Sequence, residues 1–206
     1  MIKKISIQQY KSQDDFDQYK QEETIDDELE KEETSSEKTI KWIDVSSNNK
    51  LEVEMSFDAS VSVLDVASYI LKKIGTMTTM KLQKLVYYSQ AWSLVWDEVP
   101  LFKEPIEAWM SGPVVRELFN YHRGQFQISS VATGNPDILN TTTQKETVEA
   151  VVNYYGKYSS QWLSDLTHKE DPWKNARHNI LDTQRGNKII SLQSMAEYYG
   201  SLPPEE

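Results

Sequence analysis

The side chains in this chain best equipped to act on a ligand are three histidines, His122, His168 and His178, and a large stock of acids. His168, Asp171 and His178 lie close enough in sequence to suggest a metal site, because imidazole nitrogen and carboxylate oxygen both bind zinc. Pro172 interrupts them, they lack the i, i+4 placement that aims two ligands from one helix face, and no H-E-x-x-H occurs. The plainer reading has His168 satisfying a backbone group beside a turn. Arg116, with Glu104 or Glu107, offers a buried ion pair, which is a structural device more often than a catalytic one. An aromatic pocket for a small molecule would draw on His168 and Arg116 for its polar groups. No pattern places two acids at a shared site for acid–base work. The glycines do not cluster into a phosphate loop, and no G-x-S-x-G elbow is present. The chain has no cysteine, which excludes disulfides, thiolate nucleophiles and cysteine-ligated metals. The expectation is no catalytic residue, no metal and no cofactor.

What remains is recognition. Tryptophans and tyrosines gather between Thr76 and Tyr121 and again from Trp162 to Trp173. Such rings are first of all core material. Some of them, Trp109 or Tyr88, are candidates for an exposed hot spot under a protein partner.

Charge divides the chain of 206 residues unevenly: residues 1–59 hold 16 acids and 8 lysines, whereas residues 60–206 hold 16 acids and 14 bases. A surface so acidic repels nucleic-acid phosphate and complements a basic protein. From Asp14 to Glu37 there are 12 acids against two lysines. That stretch reads either as a solvated linker or as a tail that folds on a basic partner. The first ten residues lack the apolar core of a signal peptide, and no apolar run approaches the roughly 20 residues of a membrane span. A cytoplasmic protein with no membrane or direct nucleic-acid partner is expected.

These residues need elements to position them. Ile2, Ile5 and Ile7 alternate with polar residues as in a short strand. T-I-K-W-I-D-V and L-E-V-E-M-S-F, within residues 39–57, read as a β-hairpin that must lean on another strand or on the body. A helix follows from Ser62, capped by Ser62 with Asp65 and ended at Gly75. The next helix starts at Thr78 or Thr79 and runs to about Trp96, with Leu82, Leu85, Val86, Ser89, Trp92 and Trp96 as its stripe and Lys81, Gln83 and Lys84 opposite. Pro100 and Pro105 leave Leu101-Phe102 as a buried plug and Ile106–Met110 as an extended segment. Ser111-Gly112-Pro113 reads as a helix restart, with Val114, Leu118 and Tyr121 on one face and Gly124 as its end. Residues 125–141 read as a loop anchored by Ile128 and Val131. Thr143 with Glu146 predicts a helix to Tyr155, Ser159 or Ser160 caps another, and Asp171-Pro172 opens one to about His178. A short strand at Ile189, Ile190 and Leu192 and a last helical turn at Ser194–Tyr199 complete the pattern. The fold class is mainly α, with a few short β segments, preceded by the acidic extension.

Four motifs in this order carry a resemblance: L-D-V-A-x-Y-I-L at 64–71, M-K-L-Q-K-L-V-Y-Y-S-Q-A-W at 80–92, P-L-F-x-E-P-I-E-A-W-x-x-G-P-V-V at 100–115 and L-T-H-K-E-D-P-W at 166–173. Over residues 60–202 the chain resembles the Panacea domain, the SocA-like antitoxin family that includes phage-associated GepA-type proteins. The resemblance implies a helical, non-enzymatic domain that neutralises a neighbouring toxin by direct protein contact. Family members are paired with quite different toxins, among them translation inhibitors and alarmone-synthetase-like enzymes. One member instead delivers its toxin to the ClpXP protease, which makes a proteolytic adaptor the alternative. Residues 1–59 do not look like the helix-turn-helix that precedes the domain in some relatives, so they are expected to help recognise a toxin with a basic surface. The partner-binding residues expected are Trp109, Tyr88, Arg116 and His168 in the body, and Trp42, Asp26, Asp27 and Glu28 in the extension.

Overall fold

The computed structural model describes residues 61–139, 141–181 and 184–203. The expected strand at 1–10, the acidic stretch and the hairpin at 39–57 lie outside them.

Helix α1 (Val63–Ile74) begins where a short side chain can replace the missing helical partners of the first amides. Ser62 Oγ accepts from the Asp65 N–H at 3.3 Å, and Asp65 Oδ2 accepts from the Ser62 N–H at 2.9 Å. Gly75 ends the helix at φ 75°, a conformation that only glycine adopts without strain. Strand β1 (Met77–Thr78) then leads into α2 (Thr79–Trp96), where Thr78 Oγ1 accepts from the Lys81 N–H. Every residue of α2 from Leu82 to Leu94 is buried, on all faces. The helix packs against α1 and against five elements described below, so it is the axle of the fold rather than an amphipathic surface helix.

After α2 the chain turns back through the expected plug. Leu101 and Phe102 are buried, and Gln90 of α2 holds their backbone: its Oε1 accepts both amides, at 2.8 and 3.1 Å, and its Nε2 donates to the Phe102 carbonyl. Strands β2 (Ile106–Trp109) and β3 (Gly112–Val115) form an antiparallel hairpin in the register Ile106↔Val115 to Trp109↔Gly112, closed by Met110 and Ser111. This corrects the expected helix restart at Ser111-Gly112-Pro113. Gly112, at φ 100°, closes a two-residue loop, and helix begins only at Arg116, as α3 (Arg116–His122). Strand β4 (Gln127–Ile128) pairs with β1, and Ile128 and Val131 are buried as expected, but Leu139 is a third anchor.

The second half is a chain of capped helices. Helix α4 (Thr142–Tyr155) is capped by Thr141, two residues before the expected Thr143. Ser159 caps α5 (Ser160–Lys169), and α6 (Asp171–Ala176) has Glu170, not Asp171, at its N-cap. Residues 188–190 run along β2, with Glu107 opposite Ile189, and Leu192 belongs to α7 (Leu192–Gly200) rather than to a strand. The chain is mainly helical with short antiparallel strands.

The aromatic core lies where α2, α4 and α7 meet. Tyr88 stacks on Tyr155, ring centroids 4.0 Å apart and nearly parallel, while Tyr199 meets Tyr87 and Tyr88 edge-on. Offset and edge-on pairs of this kind suit the quadrupole of the rings.

Candidate partner-binding face

Alternation along β2 puts Ile106 and Ala108 into the core and sends Glu107 and Trp109 to the opposite face of the hairpin. Glu107 organises that face. Its carboxylate accepts from Arg116 Nε at 2.7 Å and Nη2 at 2.6 Å, and from Trp109 Nε1 at 2.7 Å. Two parallel N–H···O bonds make a bidentate fork, the strong geometry for a guanidinium and a carboxylate. The pairing holds the Arg116 guanidinium above its ordinary pKa. Of the two acids proposed for Arg116, the structure selects Glu107; Glu104 instead accepts the Val63 N–H at the start of α1. The pair is buried on one side only, because Arg116 is 48% exposed and Glu107 8%. The guanidinium also sits 5.4 Å over the Trp109 ring, and Phe119 meets that ring edge-on.

The hairpin is fixed from behind. Trp173 Nε1 donates to the Trp109 carbonyl and Ser164 Oγ to the Ser111 carbonyl, tying the turn to α6 and α5. His168 lies against Trp173, ring centroids 4.3 Å apart. Met110, at the tip, is 43% exposed. The other edge of the hairpin leans on side chains of α2, the pair expected to face solvent. Gln83 Oε1 accepts the Val115 N–H and its Nε2 donates to the Val115 carbonyl, while Lys84 Nζ donates to the Pro113 carbonyl. Gln83 and Lys84 are therefore buried, a correction to the amphipathic reading of α2, and they do for β3 what a neighbouring strand would do.

Three of the expected partner-binding residues, Trp109, Arg116 and His168, thus gather around one hairpin. Tyr88 does not join them. It has no exposed surface and donates its hydroxyl to Glu170 within the core, so it is corrected from a surface anchor to a packing residue. Trp42, Asp26, Asp27 and Glu28 lie outside the described residues. The imagined metal trio is dispersed in its contacts, with Asp171 paired to Lys174 and His178 exposed. Among the described residues no group of three histidines or acids is placed to hold a metal ion.

A second polar cluster was missed by sequence reading. Glu170 is buried with no cation from the described residues on its carboxylate, which accepts from the Tyr199 hydroxyl at 2.7 Å and the Tyr88 hydroxyl at 3.2 Å. Burial pushes its pKa up to about 8, partly offset by the two hydroxyl donors. Lys84, also fully buried, is brought down to about 7 by desolvation. Enclosed by Tyr87, Tyr88 and Tyr199, the Glu170 carboxyl has the chemistry of a structural knot rather than a site open to substrate. The only hint in the sequence was its place directly before Asp171-Pro172.

Among the described residues no helix is long and apolar enough to cross a membrane. Comparison with known proteins found no matching curated protein and no matching solved structure. One family model does match, over residues 82–174, a span from the first buried turn of α2 to the middle of α6 that takes in the whole hairpin and its supports. That model is described as the antitoxin SocA-like, Panacea domain, and over residues 82–174 the chain is similar to it.

Proposed function

We propose that this protein is an antitoxin that silences a cognate toxin by covering it, and that Trp109, Met110, Arg116 and His168 lie in the contact. The observation that carries the reading is the Glu107-centred face inside a SocA-like domain. A partly exposed tryptophan and a half-exposed arginine, locked in place by one buried carboxylate, lose little conformational freedom when a partner arrives. Rigid aromatic and arginine anchors are the residues that dominate protein interfaces. The same groups perform no evident chemistry: Glu107 is neutralised by its fork, and Arg116 points its donors inward at Glu107 rather than at a substrate. The protein is read as non-enzymatic, acting in the cytoplasm with no cofactor, and recognising no nucleic acid directly.

In this reading the acidic residues 1–59 speed capture of a toxin with a basic surface and add specificity, Trp42, Asp26, Asp27 and Glu28 among them. Domain boundaries at 1–59 and 60–202 follow. The test is co-expression with the product of the adjacent reading frame. Growth rescue with co-purification is expected from the full chain, and loss of both from the Trp109→Ala/Arg116→Ala double variant, with a melting curve to show that the variant is still folded at the growth temperature. If rescue by the full chain fails, the antitoxin reading falls. If complex formation persists but rescue vanishes in cells lacking ClpXP, delivery to the protease replaces occlusion as the mechanism.

A further inference from the structure

The stretch 188–190 is the outer edge of the hairpin sheet. The Ala108 N–H donates to the Lys188 carbonyl and the Ile190 N–H to the Ile106 carbonyl, both at 2.8 Å, with Glu107 facing Ile189 between them. In an antiparallel pair of this pattern the facing residues do not bond each other, so the Ile189 N–H and C=O point away from β2. Neither takes a hydrogen bond among the described residues. A buried arginine ties the edge down: Arg177 donates to the carbonyls of Ala108, Leu181 and Gln184, holding the chain ahead of residue 188 against β2. The aliphatic groups left outside are Ile189, 54% exposed, and Leu181, 73% exposed. Open backbone beside exposed aliphatic groups is the pattern that an added strand satisfies.

Charge selects the occupant. The chain carries a formal net charge of −10, yet residues 172–196 hold four bases, Lys174, Arg177, Arg185 and Lys188, against the single acid Asp182. Lys174 is paired with Asp171. Arg185 and Lys188 are exposed, and Lys188 enters no ion pair among the described residues. A second copy would lay one basic edge against another, and like charges on neighbouring strands repel. We propose that the 188–190 edge receives an extended acidic segment of a partner protein as a further antiparallel strand. One aliphatic residue of that segment exchanges both backbone hydrogen bonds with Ile189 and lies beside it, on the sheet face shared with Glu107. The residue after it faces Lys188, where an Asp or Glu makes a cross-strand ion pair. The recognised element is therefore short: an aliphatic residue followed by an acid, in extended backbone. The inference is independent of what the Trp109–Arg116 face binds.

The test titrates the full-length protein into a fluorescein-labelled peptide, E-V-E-V-E-V-E, and reads fluorescence polarisation. Saturable binding is expected, at least tenfold tighter than that of K-V-K-V-K-V-K. The acidic peptide N-methylated at its valines keeps its charge and side chains but loses the donors a strand needs, and is expected to bind at least tenfold more weakly. Ile189→Pro removes the outward amide while sparing both bonds to β2, and should weaken the acidic peptide at least tenfold. Lys188→Glu should reverse the preference, so that the basic peptide binds the tighter. A melting curve shows that each variant is folded. No saturable binding, or equal binding of the acidic and basic peptides, overturns the proposal. So does undiminished binding of the N-methylated peptide, or of the acidic peptide to Ile189→Pro, either of which would mean that no strand forms on this edge. Concentration-dependent dimers of the parent protein that Ile189→Pro abolishes would put a second copy there and overturn it as well.

Discussion

Glu107 shows how a single buried acid can fix two surface side chains. Its three donors come from two side chains, Trp109 and Arg116, and it holds both in one geometry. Removing the carboxylate, as in Glu107→Gln, leaves the hairpin paired but frees both anchors. Toxin binding is expected to weaken by about 2 kcal/mol or more, roughly thirtyfold, while Trp109→Ala alone costs a similar amount. Isothermal titration with the partner, alongside a melting curve for each variant, separates this from simple unfolding. A second residue-scale expectation concerns pH. Glu170 titrates near 8 in the fold against 4.5 for a free carboxyl, so the unfolded chain loses this proton first and stability falls as pH rises from 4.5 to 8. Lys84 titrates near 7 against 10.5, so there the unfolded chain keeps its proton longer and stability rises from pH 7 to 10.5. Glu104, raised by burial, adds to the first trend, whereas His122, lowered by burial, opposes it below about pH 6.5. A stability minimum near pH 7 to 8 is expected in urea titrations. Glu170→Gln should flatten the acidic limb by on the order of a few kcal/mol, and Lys84→Met the alkaline one. A monotonic profile in the parent protein would refute both assignments.

Helix ends were readable because caps are local: Ser62 with Asp65, Thr78, Ser159 and the glycines at 75 and 156 all announce themselves within four residues. The hairpin was not, because its second strand depends on residues far away in sequence. Val115 finds its hydrogen bonds on Gln83, 32 positions earlier, and no local pattern encodes that. Gly-Pro before V-V-R-E-L therefore imitated a helix start. Gln83 and Lys84 misled for the same reason, since a polar residue on a helix is read as solvent-facing until an unpaired strand edge is known to need it. The site followed the same rule. Trp109 and Arg116 could be named as candidates by residue type, and Tyr88 was not separable from them because burial is a property of the assembled fold. Two substitutions test this element. A Cβ on Gly112 would lie 2.7 Å from Thr167 Oγ1 and 2.8 Å from Lys84 Cε, at a φ of 100°. Gly112→Ala is expected to cost on the order of 1–3 kcal/mol from backbone strain alone. Gln83→Ala strips both partners from the buried Val115 backbone, about 1–3 kcal/mol for each orphaned group. Unfolding by denaturant gives both values, and losses under 0.5 kcal/mol would mean that β3 does not depend on α2.

Over the whole molecule the strongest asymmetry is electrical. Residues 1–59 carry a net −8 of the chain's −10, leaving the domain that bears the Trp109–Arg116 face nearly neutral. Apolar and hydrogen-bonded contacts on a neutral, rigid face act at short range and set how slowly a complex comes apart. A charged extension acts over the Debye length, about 8 Å at physiological salt, and sets how fast partners meet. The two halves of the chain are thus expected to control different rate constants. Neutralising part of the extension in the full chain, with Asp26→Asn, Asp27→Asn and Glu28→Gln together, should slow association severalfold at low ionic strength, leave dissociation unchanged, and lose its effect at about 0.5 M salt. Trp109→Ala should do the reverse, speeding dissociation at every salt concentration. Surface plasmon resonance on the purified pair resolves both. If the charge variant changes dissociation instead, the acidic residues lie inside the interface and grip the toxin rather than draw it in. Full association speed in that variant at low salt would leave the extension no electrostatic part in capture.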